Sequence, residues 1–194
     1  MLKHLPQSLG NMESLEILVL DKCKVLEDLP KSFGNLVNLQ YLSMRECKTL
    51  TELPATIGNC KKLVEVSFSK CFALTGLPPS IGQWESLEDL NLNKCKHISE
   101  LPDSLCDLKR LCFLELRSCK SLTSLPRQIG NLSNLKSLDL RTCKRLETLP
   151  STLGQLTKLE SLDITGCSDL TVAKSKGLEK LKSITIGWDD DKML

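Results

Sequence analysis

The chain has 194 residues, with 26 Lys plus Arg against 24 Asp plus Glu and a formal net charge of +2. Near-neutrality gives no global attraction to nucleic acid or anionic lipid, whose binders gather a basic excess on one surface. No apolar run approaches the roughly 18 residues of a membrane-spanning helix, and the first residues lack the apolar core of a signal peptide, so neither nucleic acid nor a membrane is expected as a partner.

From the first residues onward the chain repeats itself every 24 positions. Leu-Pro pairs begin at Leu5, Leu29, Leu53, Leu77, Leu101, Leu125 and Leu149. Cysteines follow in the same phase at Cys23, Cys47, Cys71, Cys95, Cys119, Cys143 and Cys167. Four residues after each proline stands a glycine (Gly10, Gly34, Gly58, Gly82, Gly130, Gly154), replaced once by Cys106. Between glycine and cysteine the chain reads L-x-x-L-x-L-x-x-C, as in Leu87, Leu90, Leu92 and Cys95. This is the leucine-rich repeat pattern, and it predicts an α/β solenoid. The expected shape is a horseshoe of about eight 24-residue repeats, with a parallel concave β-sheet and short helical or 3₁₀ turns on the convex side.

Residues 1–11 match only the second half of a unit, so the chain is expected to begin inside a partial first repeat and to be the carboxyl-terminal piece of something longer. Residues 12–167 are regular repeats. In residues 168–194 the leucine spacing persists at Leu178, Leu181, Ile184 and Ile186, but the Leu-Pro pair has given way to Ala173 and Lys174. The acidic run of Asp189, Asp190 and Asp191 follows, and the segment reads as a degenerate capping repeat. All of this is one domain, because a single unit cannot bury its own leucines and stability accrues by stacking.

One unit illustrates the physics. In residues 137–141 apolar and polar positions alternate, the mark of a short strand with one buried face. Leu138 and Leu140 are expected inside, with Ser137, Asp139 and Arg141 on the concave surface. Pro150 then ends any continuation, because it fixes the backbone and removes a donor. Leu153 and Leu156 should turn inward from a short helical or 3₁₀ turn, with Gly154 allowing a tight backbone.

The periodic cysteines occupy the position after the strand. A small side chain fits inside the turn there, and its weak S–H donor can reach backbone carbonyls. Seven equivalent thiols cannot pair off evenly, so they are expected to stay reduced, which implies the cytosol or the nucleus. Of the other three, Cys60 and Cys106 replace a core leucine and the turn glycine. Cys112 takes a variable site and is expected to be the exposed, reactive one. With no C-x-x-C pair and only His4 and His97, no metal site, cofactor or catalytic residue is expected.

Function is therefore sought on the variable positions. Residues 24 apart become neighbours on the concave face, in columns. One column runs Ile17, Tyr41, Glu65, Asp89, Phe113, Ser137, Ser161 and Ser183. The middle column runs Val19, Ser43, Ser67, Asn91, Glu115, Asp139, Asp163 and Thr185. The third runs Asp21, Arg45, Ser69, Asn93, Arg117, Arg141, Thr165 and Gly187. The aromatic side chains are not needed by the core, and interface hot spots are enriched in such residues. Tyr41, Arg45, Asp89, Asn91, Phe113, Glu115, Arg117, Asp139, Arg141 and Asp163 are the candidate protein-binding residues. Glu115, Asp139 and Asp163 also lie beside Arg117 and Arg141, where a self-satisfied ion-pair lattice competes with a docking site. Beyond the cysteines runs a basic ridge of Lys24, Lys48, Lys96, Lys120 and Lys144, interrupted by Phe72 and thickened by Lys22, Lys70 and Lys94. Its two readings are a solvated edge and a docking edge for an acidic neighbour.

The unit L-x-x-L-x-L-x-x-C-x-x-L-x-x-L-P-x-x-(I/L)-G-N-L resembles the carboxyl-terminal repeats of plant intracellular nucleotide-binding leucine-rich-repeat (NLR) disease-resistance receptors. The resemblance is carried by stretches such as Leu53, Pro54, Ala55, Thr56, Ile57, Gly58 and Asn59, and it covers nearly the whole chain. It implies a sensor for a pathogen effector or a host protein, holding an upstream nucleotide-binding domain of the same chain inactive. The alternative is a stand-alone scaffold for signalling proteins, such as a GTPase–phosphatase assembly.

Overall fold

The computed structural model describes residues 2–171 of the protein. Seven strands follow one another: β1 (Ile17–Val19), β2 (Tyr41–Ser43), β3 (Glu65–Ser67), β4 (Asp89–Asn91), β5 (Phe113–Glu115), β6 (Ser137–Asp139) and β7 (Ser161–Asp163). They pair in sequence order as one parallel sheet. The register is a constant step of one repeat, for example Tyr41 to Glu65, Asp89 to Phe113 and Asp139 to Asp163. The columns expected from the sequence are therefore the columns of the sheet. The expected capping repeat lies outside the described residues except for its first four, 168–171.

Between strands the chain returns through 3₁₀ turns, including Lys31–Asn35, Ala55–Asn59 and Ser151–Gln155. Prolines stand immediately before most of them in extended conformation, Pro54 with φ −65° and ψ 143°. A fixed φ and a missing N–H suit a residue that must end one direction and begin another. Leu138, Leu140 and Leu153 are fully buried, as their spacing requires, and every unit from 26 to 164 contributes to one continuous core. Trp84 is fully buried too, and its Nε1 donates to the Ile57 carbonyl at 2.9 Å, so the indole reaches back to the unit where the small Cys60 replaces leucine.

Gly154 sits in a 3₁₀ turn as expected, and other turn glycines meet a second constraint, from the next unit. A Cβ on Gly58 would stand 2.4 Å from the Ser80 carbonyl oxygen, and one on Gly34 2.3 Å from that of Thr56. Glycine is needed because the next unit's backbone packs directly on it. At Cys106, where the glycine is missing, the following turn is shortened to Ile129–Asn131, three residues against five in its neighbours.

The cysteines form a second ladder. Cys71, Cys95, Cys119 and Cys143 donate from Sγ to the carbonyls of Met44, Phe68, Leu92 and Leu116, at 3.1–3.2 Å, each one unit back. All ten cysteines are free thiols. Burial pushes Cys95 and Cys143 up to about 12, which holds both as neutral donors. Cys112 is half-buried, as are Cys23 and Cys167, so it is not singular in its exposure.

Candidate functional site

The residue before each periodic cysteine has a left-handed backbone: Lys22, Glu46, Lys70, Lys94, Ser118 and Thr142 all lie at φ 56–64°, and Gly166 at 72°. This geometry turns their N–H groups toward the next unit. Lys22 donates to the Arg45 carbonyl and Lys70 to that of Asn93, both at 2.7 Å, so the ladder of bonds continues beyond the short strands. The concave side chains are thereby held in rows on a rigid sheet.

The two halves of that surface differ. Toward the carboxyl end, Arg141 bonds the Asp139 carboxylate through Nε and Nη2 and reaches Asp163 from Nε at 3.6 Å. Asp139, and behind it Asp163, raises the Arg141 guanidinium above its ordinary value, against the opposing effect of burial. The expected lattice exists there. It does not extend to Arg117, whose side chain forms no ion pair among the described residues, nor to Glu115. Glu115 accepts from the side-chain amides of Asn91, at 2.6 Å, and of Asn93.

Toward the amino end the charges are not matched in this way. Tyr41, Glu65, Asp89 and Phe113 stand in one row, two carboxylates between two aromatic rings. Phe113 is 43% exposed. Arg45, Ser67, Asn91 and Glu115 complete a shallow hollow of about 110 Å³ around Glu65 and Asp89. Arg45 is turned aside, its Nε donating to Ser67 Oγ at 3.2 Å, while its backbone N–H bonds Asp21. Burial, then the charges of Glu115 and Glu65, pushes the Asp89 carboxyl up to about 6, with Arg45 only partly opposing. No hydrogen bond or ion pair to either the Glu65 or the Asp89 carboxylate is formed among the described residues. Glu65 stands in a column read from the sequence but is not among the candidate residues chosen there; its place between Tyr41 and Asp89 is the signal that marks it.

A profile described as "Leucine-rich repeat region" matches residues 103–194, and one described as "Leucine Rich Repeat" matches residues 14–36. The fold is a leucine-rich-repeat solenoid. The solenoid is similar to the leucine-rich repeat domain of the type III effector XCV3220 (XopL), with TM-score 0.67 and 24% identity over 96% of this chain and 73% of that one. It is also similar to a TDR receptor, with TM-score 0.61 and 21% identity over 95% of this chain and 36% of that one. The Arabidopsis receptor kinase HAESA, solved with the peptide hormone IDA and the co-receptor SERK1, gives TM-score 0.51 and 24% identity over 83% of this chain and 36% of that one. The leucine-rich-repeat chain thus spans only about a third of either receptor. No curated protein sequence matches it. Leucine-rich-repeat solenoids are protein-binding modules that use the extended concave surface their curvature creates. Among the described residues no group of three or more His, Cys, Asp or Glu side chains is arranged to hold a metal ion.

Proposed function

We propose that the domain recognises a protein ligand on the amino-terminal half of its concave face, and that the ligand inserts a cationic side chain between Tyr41 and Phe113. The observation that carries this is the pair of carboxylates, Glu65 and Asp89, left without hydrogen bonds or ion pairs among the described residues between two aromatic rings. A lysine or arginine there gains charge-assisted bonds from the acids and cation–π contact from Tyr41, which lines the hollow beside them. Phe113 and Tyr41 supply the large, rigid contact area typical of interface anchors. Asn91 and Glu115 border the site, whereas Asp139, Arg141 and Asp163 form its self-paired flank.

The wider role we propose is the sensor and autoinhibitory arm of a plant intracellular immune receptor, acting on an upstream nucleotide-binding domain and working in the cytosol or nucleus. Support comes from the Cys plus Leu-Pro unit and from ten thiols kept free, a state suited to a reducing compartment. For such a switch the ligand must bind the open state better than the closed one.

Photo-crosslinking tests the first proposal. p-Benzoylphenylalanine placed at Phe113 in the parent protein should yield a protein adduct that is lost when Glu65 and Asp89 are both changed to lysine. An adduct that survives those changes in a folded protein refutes the site. Sequencing the transcript upstream of Met1 tests the second. A nucleotide-binding region there supports the receptor, and an in-frame stop before Met1 removes it in favour of a free-standing scaffold.

A further inference from the structure

A second surface lies at the edge where the strands end. The backbone reverses at each cysteine, and because the cysteine side chain points into the core, its two sequence neighbours line up on either side as parallel rows. One row is Glu46, Lys70, Lys94 and Ser118, the residues held left-handed. The other holds Lys48, Phe72, Lys96 and Lys120. Together the two rows surround a groove of about 420 Å³. Five lysines face one glutamate across it, in a protein whose whole net charge is only +2.

Those lysines are organised. Lys48 and Lys96, from the units on either side, hold their ammonium groups over the Phe72 ring, 5.6 and 4.6 Å from its centre. Glu46 holds Lys70 at 2.7 Å, and Lys70 keeps the Glu46 carboxyl below its usual value. Lys94 and Lys120 form no ion pair among the described residues. The positive charge is therefore concentrated and largely uncompensated.

We propose that this groove is a docking site for an acidic peptide segment of a partner protein, one carrying an apolar side chain between carboxylates. The site is separate from the concave one and does not rest on it. Length fits: four units separated by three steps of about 4.8 Å make a groove about 14 Å long, the span of four or five extended residues. Charge fits, with ammonium groups on both walls. Phe72 decides the class of ligand. It is the one interruption in a column of lysines, and with the lysine stems it offers an apolar floor flanked by cations. Single-stranded nucleic acid is held by several aromatic rings on which successive bases stack, and Phe72 is the one ring in the lining of this groove.

The 194-residue protein and a fluorescein-labelled Glu-Asp-Leu-Asp-Glu peptide provide the test, read by fluorescence anisotropy at physiological salt. Saturable binding is expected, weakened about tenfold or more by the Lys94→Glu, Lys96→Glu double variant, in which like charges face the ligand. Phe72→Ala should weaken it about threefold, a loss of apolar contact that a purely electrostatic edge does not show. Lys144→Glu, on the same ridge but outside the groove, should change it less than about twofold, as a remote charge screened by salt does. All these residues are at least partly exposed, so circular dichroism should report an unchanged fold. The proposal is overturned if the peptide binds no better than its Asn/Gln counterpart, or if Lys144→Glu costs as much as the double variant. Equal affinity for inorganic tripolyphosphate or for an oligo-dT of the same charge also overturns it, because the groove is then a general polyanion surface.

Discussion

The carboxyl-terminal half of the concave face satisfies itself, and the amino-terminal half does not. Arg141 is shared between Asp139 and Asp163, whereas Glu65 and Asp89 lie side by side in a hollow whose nearest arginine is bonded elsewhere. Both halves rest on the same sheet with the same register, so backbone geometry does not account for the contrast. It comes from which variable residues fall in adjacent columns. A charge with an internal partner stabilises the solenoid, and one with none is available to a ligand at some cost to the free protein.

The largest effect expected from this difference is on recognition. Glu65→Ala with Asp89→Ala should lower affinity for a cationic ligand by about 10- to 100-fold, the range for losing close charge pairs at an interface. Asp163→Ala should lower it only about twofold, at the scale of a peripheral screened charge. The adduct yield at Phe113 measures both. A comparable loss from the two changes would erase the distinction between the halves.

Next in size are two stability changes of opposite sign. Asp89 ionises near 6 in the folded protein but near 4 when unfolded. Between these values the native state binds the extra proton, so this group makes the protein less stable as pH rises from about 4 to 6, and the loss is complete above 6. Asp89→Asn should flatten that part of the profile and raise the melting temperature at pH 7 by about 2 °C. Asp139→Asn should instead lower it by about 2 °C, because Arg141 loses its principal partner. Thermal melts at pH 4, 6 and 7 decide between matching and opposite signs. The same titration predicts that binding of a cationic ligand weakens as pH falls through 6, when the Asp89 carboxylate is neutralised.

An effect of the same size as that at Asp139 separates two arginines that look alike in sequence. Arg141→Ala should cost about 0.5–1 kcal/mol and Arg117→Ala about zero, as expected for a paired and an unpaired surface charge. Urea denaturation resolves the difference if the midpoint shifts without a change in slope.

Much of this was legible beforehand. The 24-residue phase of Leu138, Leu140 and Cys143 with their counterparts determined strand positions, sheet order and even which side chains became neighbours, because a parallel ladder with constant step has a single register. The cysteine hydrogen bonds also followed from position and size. The left-handed residues did not: lysine, glutamate, serine and threonine carry no signal for φ above zero, and only Gly166 hints at it. Nor did the pairing choices. Neighbouring columns brought Glu115 within reach of Arg117, yet it bonds Asn91 and Asn93, a decision made by side-chain torsions that a column list does not contain. Phe72 was visible as an interruption in the lysine ridge, but the groove beside it needs the direction of the Lys70 and Lys94 backbone to be seen.

Every ladder in this molecule advances by a fixed offset. Strand partners lie 24 residues apart, and the cysteine bonds of Cys71 and Cys95 each span 27. A gene duplication or deletion of one whole 24-residue unit leaves all those offsets intact. An insertion of a single codon inside a unit changes the offset of every strand and cysteine bond that crosses that point. The recognition surface can therefore be lengthened or shortened in whole-unit steps, and its lettering changed at the variable positions, without disturbing either ladder.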